Sequence, residues 1–99
     1  MRKYKLRYAD YFREELYEIL EYISNNLYKS TISKFLDKVV NCTDNLTYFP
    51  KMYARYERIN KYRRIIIKNY IIFYNIDNYR KNVEIKHIYY SRKISFNLD

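Results

Sequence analysis

Apolar side chains recur in two rhythms along this chain, and the change of rhythm divides it. Phe12, Leu16, Ile19, Leu20, Ile23 and Leu27 fall at steps of three and four, the spacing that lines one face of an amphipathic helix. Asp10 stands where an N-cap is expected, and Glu14 and Glu15 follow in the early turns, where the helix dipole favours anions. The acidic face of this helix, Glu14 and Glu15 included, reads as solvated. Asn25-Asn26 and Lys29-Ser30 break the pattern, after which Ile32, Phe35, Leu36, Val39, Cys42, Leu46 and Phe49 predict a second helix that Pro50 ends. Before the helices, Lys3, Lys5 and Arg7 alternate with Tyr4, Leu6 and Tyr8, as in a half-buried strand. After them come three runs rich in Ile, Val, Tyr and Phe: Tyr62 to Ile67, Tyr70 to Asp77 and Val83 to Lys93. Lys68-Asn69 and the polar stretch 78–82 separate them, so they read as consecutive antiparallel strands.

The predicted order is β-α-α-β-β-β, an α+β fold. Two helices joined by a tight break form a hairpin that packs its apolar stripe on one face of a small, mainly antiparallel sheet and leaves the other face open. Alternation puts Arg63, Ile65 and Ile67 on one face and Tyr62, Arg64 and Ile66 on the other. In the following strand Tyr70, Ile72, Tyr74 and Ile76 share a face, and either set of residues is compatible with facing the helices. In the last strand the apolar phase shifts between Ile85 and Ile88, which predicts a bulge or a sheet covered on both sides.

Length and charge narrow the setting. The 99 residues suit one domain, 1–99, and the formal charge of +9 points to an anionic partner, nucleic acid or an acidic protein. A/T-rich codons alone enrich Ile, Lys, Asn and Tyr, so the distribution of charge carries more weight than its sum. Between Asp10 and Leu27 only Arg13 opposes five acidic residues, whereas between Lys51 and Lys68 only Glu57 opposes seven basic ones. Arg55, Arg58, Arg63 and Arg64 concentrate there, among aromatic rings, in a combination that suits phosphate and stacked bases. With no glycine, both Gly-rich phosphate loops are excluded and no nucleotide cofactor is expected. One cysteine, Cys42, and one histidine, His87, supply neither an internal disulfide nor a thiolate or imidazole metal cluster; Cys42 reads as a core residue and His87 as a surface or satisfied strand residue. No apolar run is long enough for a membrane span, and the charged start lacks a signal-peptide core, so a cytoplasmic protein is expected.

The order and spacing of certain residues are more specific. Tyr22-Ile23 falls near the end of the first helix and Leu46 to Pro50 closes the second. Tyr62-Arg63, Asn69 to Tyr74, Ile76-Asp77 and the spaced Val83, Ile85, Ile88, Tyr90 and Arg92 follow. Over nearly the whole chain this arrangement resembles the RelE/ParE superfamily of toxins from bacterial type II toxin-antitoxin modules. The resemblance implies a growth-arresting toxin, held inactive in a hetero-oligomer by a cognate acidic antitoxin. From the apolar helices and the charged sheet, that antitoxin is expected to bury apolar side chains against the hairpin and to bring carboxylates to the Arg55–Arg64 region.

Its two branches imply different targets. RelE-like members cut messenger RNA in the ribosome without a metal, through attack of the 2′-hydroxyl on the adjacent phosphate; this needs a proton acceptor, a proton donor and cations at the phosphate. On that reading Arg63, Arg64 and Arg92 stabilise phosphate charge and Tyr90 carries the proton, although Ile71 stands where that branch places an arginine. ParE-like members inhibit DNA gyrase and lack the catalytic set. Asn69 to Tyr74 and Ser91-Arg92-Lys93 are closer to their pattern, while Tyr90 stands where many carry His and Ile94 where many carry Asp. The chain therefore reads first as ParE-like, with Arg55, Arg58, Lys61 and Lys93 as candidate contacts to nucleic acid or to the target. An mRNA endoribonuclease and a non-toxic basic nucleic-acid-binding module are the alternatives.

Overall fold

The structure is a computed structural model that describes residues 3–26, 29–92 and 98. It follows the predicted order: β1 (Lys5–Tyr8), α1 (Asp10–Asn26), α2 (Lys29–Asn45), β2 (Arg63–Ile67), β3 (Tyr70–Asp77) and β4 (Asn82–Tyr90). The sheet order is β1-β4-β3-β2, with β1 parallel to β4 and the other neighbours antiparallel. Returning β1 beside β4 requires the long crossover that the helical hairpin provides. No helix among the described residues is long and apolar enough to cross a membrane.

The helices behave as their periodicity requires, with different ends. Ala9 O accepts from Arg13 N at 3.1 Å, so the cap position falls on Ala9 and Asp10 lies in the first turn. α2 stops at Asn45, short of Pro50, although the apolar spacing continues to Phe49. Leu46, Thr47 and Tyr48 each donate their N–H to the carbonyl three residues back, and Thr47 Oγ1 also donates to Asp44 O at 2.8 Å. These tighter local bonds compete with the helix ladder. Leu46 is still swallowed by the core, while Phe49 is left 60% exposed.

Phe12 and Ile23 of α1 and Phe35 and Val39 of α2 pack with Leu46 against Ile65, Ile67, Ile72, Tyr74, Val83, Ile85 and Ile88 of the sheet. The helix-facing set therefore begins at Arg63 and includes Ile65 and Ile67. Each such aliphatic or aromatic side chain contributes about 1.5–3 kcal/mol when fully buried. Tyr74 is the polar member. Its hydroxyl donates to Pro50 O at 2.7 Å, and burial pushes the phenol up to about 12 against the pull of nearby Arg63. Burial also raises Tyr53, which meets the Tyr74 ring edge-on at 6.5 Å.

A pH dependence follows. A phenol whose folded pKa exceeds its unfolded value of about 10 contributes stability that is intact below pH 10 and lost as the pH rises towards 12. Denaturation midpoints of the wild type fall over that window, with Tyr74 accounting for about 2–3 kcal/mol of the loss. In Tyr74→Phe the fall is shallower, leaving the share due to Tyr53 and Tyr70, which burial also raises. Parallel curves for the two proteins between pH 10 and 12 would remove Tyr74 from this account.

The far side of the sheet departs from expectation: it is not open. Tyr62, Phe73 and Tyr89 form a second buried cluster, with Tyr56, Ile59, Ile71 and Leu98 packed on it. The segment before β2 folds back over this side and pairs with it, through Tyr56 N to Tyr62 O at 2.8 Å and Arg64 N to Ala54 O at 3.1 Å. The register shift between Phe73 and Tyr74 leaves Lys86 as the extra residue of a bulge on β4. Ile85 and Ile88 thereby both reach the helix side while His87 and Tyr89 face the other, so the bulge and the double coverage are both realised.

Candidate functional site

The predicted site residues occupy two ends and two faces of the sheet. Arg63 pairs with Tyr74, which pairs with Ile85, whereas Tyr90 pairs with Tyr70 at the opposite end. At about 3.4 Å per residue and about 4.8 Å per strand step, the Arg63 and Tyr90 backbones lie roughly 17 Å apart. Arg63 is also engaged: its Nη1 donates to Tyr53 O at 2.7 Å and reaches Lys51 O at 3.5 Å, holding the loop after α2. Arg64 lies opposite Phe73, on the sheet face away from Arg63 and Tyr90. Arg58 and Arg92 are exposed, and Lys93 lies outside the described residues. The catalytic set inferred from the sequence is thus not brought to one point.

Two concave surfaces take its place. The larger, about 690 Å³, opens where the helical hairpin meets the β2–β3 turn and the end of β4. Ile19, Tyr22, Ile23, Phe35, Tyr70 and Tyr90 make its apolar walls, and Lys34, Lys38 and Lys68 stand with Glu18 among its lining. Tyr70 packs against Phe35 with centroids at 5.1 Å and against Tyr90 at 5.8 Å. Burial pushes the Tyr70 phenol up, and the neighbouring Tyr22 and Tyr90 phenols add to the effect. Tyr90 is 43% exposed here, an aromatic wall of a mainly apolar groove.

The smaller cleft, about 260 Å³, lies where β3 runs past the start of β2 and is lined by Lys51, Arg55, Lys61 and Arg63 with Asn60, Asn75 and Asn78. Arg55 and Arg63 are directly opposed across an isolated antiparallel bridge. Of the predicted contact residues, Arg55 and Lys61 are therefore brought together with Arg63.

His87 is a satisfied strand residue, as its sequence context predicts. It is 2% exposed, its Nδ1 lies 3.0 Å from Glu15 Oε2 and 3.1 Å from the Tyr89 hydroxyl, and its ring stacks on Tyr89. Glu15 also accepts from Ile88 N at 3.0 Å, on the part of β4 that the short β1 leaves unpaired. So Glu15 does not belong to the solvated face expected of α1. Lys34, Lys38, Lys51 and the three asparagines were missed in the sequence. The i,i+4 spacing of Lys34 and Lys38 was the one signal for the groove, because it puts both ammoniums on one side of α2.

Comparison with known proteins bears on the whole chain. Residues 6–94 match the family model of the ParE toxin of the type II toxin-antitoxin system parDE. The chain belongs to that family. It is a ParE-type toxin of a type II toxin-antitoxin system. No curated protein sequence matches it. Among solved structures, the toxin resembles a chain of the chromosomal ParDE system from P. aeruginosa, with a TM-score of 0.75, 12% identity, and 91% of this chain and 98% of that one covered. It also resembles a chain of the toxin-antitoxin complex RelBE2 from Mycobacterium tuberculosis, with a TM-score of 0.60, 18% identity, and 89% and 98% covered. At these identities the likeness is one of fold.

Proposed function

We propose that this ParE-type toxin arrests growth by inhibiting DNA gyrase in the cytoplasm and cuts no RNA. The observation that carries the reading is the dispersal of the candidate catalytic groups. Phosphodiester cleavage needs cations and a proton carrier within hydrogen-bond reach of one phosphate, whereas Arg63 lies at the opposite end of the sheet from Tyr90, Arg64 faces the other side of the sheet, and Tyr90 packs on Tyr70. The ParE family match supports the same branch.

The antitoxin is an acidic protein that forms a hetero-oligomer with the toxin. Its apolar side chains fill the groove between the hairpin and Tyr70, and its carboxylates meet Lys34, Lys38 and Lys68 beside it. This places its charge at the groove and leaves the Arg55–Arg63 end of the sheet to other ligands.

Purified toxin tests the target directly. Gyrase supercoiling is inhibited, a defined message on programmed ribosomes stays intact, and Tyr90→Phe still arrests growth on induction. A message cut by the wild type and spared by Tyr90→Phe or Arg64→Ala would establish the ribonuclease reading instead. Normal growth at confirmed expression would contradict both.

A further inference from the structure

The cleft beside Arg55 has features that gyrase inhibition and antitoxin binding leave unexplained. Four cationic side chains line it and no carboxylate does. Among the described residues none of Lys51, Arg55, Lys61 and Arg63 forms an ion pair. Asp77, the acidic residue nearest in sequence on β3, is taken by Arg80, whose N–H donates to Asp77 Oδ1 at 3.0 Å. Like charges set directly opposite across strands are destabilising, and Arg55 faces Arg63 in that way. An anion seated between them relieves the repulsion.

The site is also built to donate. Arg63 Nη1 is anchored on the Tyr53 carbonyl, which fixes the plane of the guanidinium and leaves its other N–H groups for a ligand. The Tyr4 hydroxyl donates to Asn78 Oδ1 at 3.0 Å, so the Asn78 NH2 remains a donor. Asn75, also in the lining, has its Oδ1 buried with no hydrogen-bond partner. Because β2 uses its odd-numbered residues to bond β3 while Arg64 N turns outward to Ala54 O, the backbone of Ile76 points past the end of β2 towards the cleft.

We infer that this cleft binds a terminal oligophosphate, the di- or triphosphate group of a nucleotide or an inorganic oligophosphate. Size and charge favour that class over a nucleic-acid strand. At about 260 Å³ the cleft is smaller than the roughly 300–1,000 Å³ of sites for drug-sized ligands. A single phosphodiester carries one negative charge, whereas a terminal triphosphate brings three to four into the same small volume, matching the four cations.

Thermal melts of the full chain test the assignment, with inorganic tripolyphosphate, ATP, GTP and an oligonucleotide lacking terminal phosphates as probes. Tripolyphosphate or a nucleoside triphosphate at about 100 times its Kd raises Tm by about 10 °C. Whichever of the two binds more tightly identifies the source of the phosphate. Arg55→Gln and Lys61→Gln each weaken binding about tenfold or more, and Arg55→Gln does not lower Tm without ligand, because it removes part of an unbalanced positive cluster. Arg13→Gln and Lys29→Gln, exposed and outside the cleft, keep the full response. Equal losses from cleft and control variants would reduce the effect to general attraction for polyanions and overturn the site. Tighter binding of the oligonucleotide, with the same dependence on Arg55 and Lys61, would replace the small ligand by a strand.

Discussion

Phe73→Ala costs about 3–5 kcal/mol of folding stability and lowers Tm by roughly 12 °C or more. The size of this effect comes from the side of the sheet that the sequence pattern leaves bare. Phe73 is fully buried, with its ring edge-on to Tyr56 at 5.0 Å and to Tyr62 at 6.3 Å, and with Tyr89 at 6.3 Å. Truncation removes the partner of three rings at once, and a pocket walled by such large planar groups collapses poorly. Ile66→Ala, on the same side of β2 but 59% exposed, is the matched control and changes stability by about 0.5 kcal/mol or less. Urea or thermal denaturation reads both. A loss below about 1 kcal/mol for Phe73→Ala would mean that this side is solvated after all.

Glu15→Ala is the second large loss, about 2–4 kcal/mol, and its cause is polar. The carboxylate is the partner of both the Ile88 N–H and the buried His87 ring, so its removal leaves the Ile88 N–H without an acceptor and the His87 Nδ1 with the Tyr89 hydroxyl alone. Glu15→Gln keeps an acceptor oxygen for Ile88 and loses less. Amide hydrogen exchange separates this from a general loosening of α1: protection at Ile88 drops more than the global stability does in Glu15→Ala. If the Ile88 amide is lost only in step with the rest of β4, Glu15 acts on the fold as a whole.

These two residues mark the limits of what the sequence discloses. Element order, helix faces and strand breaks are legible because period and punctuation are local properties. The cover over Phe73 is not, since the segment 51–61 forms neither helix nor named strand; only the three-residue spacing of Tyr53, Tyr56, Ile59 and Tyr62 hints that it buries rings. Glu15 looks like one more solvent-facing acid until the short β1 exposes the edge of β4 to it. The candidate site is less legible still. Residue type singles out Arg63, but its anchor is a backbone carbonyl, which no sequence pattern records. Tyr90 falls in a groove whose lysines come from α2 and from a turn, elements that meet only in the folded chain.

The extra residue in β4 also governs how this strand is to be aligned with its relatives. Without Lys86 as an insertion, strict alternation from Ile85 onward would send Tyr89 to the groove beside Tyr70 and Tyr90 to the Phe73 side, exchanging two adjacent tyrosines of identical chemistry. Matching this chain to a bulge-free homologue therefore requires a one-residue gap at Lys86. A gapless alignment attributes the groove residue's properties to its neighbour. Deleting Lys86 straightens the ladder with every later side chain on its present side, so the protein accommodates that deletion more readily than a second insertion at the same point.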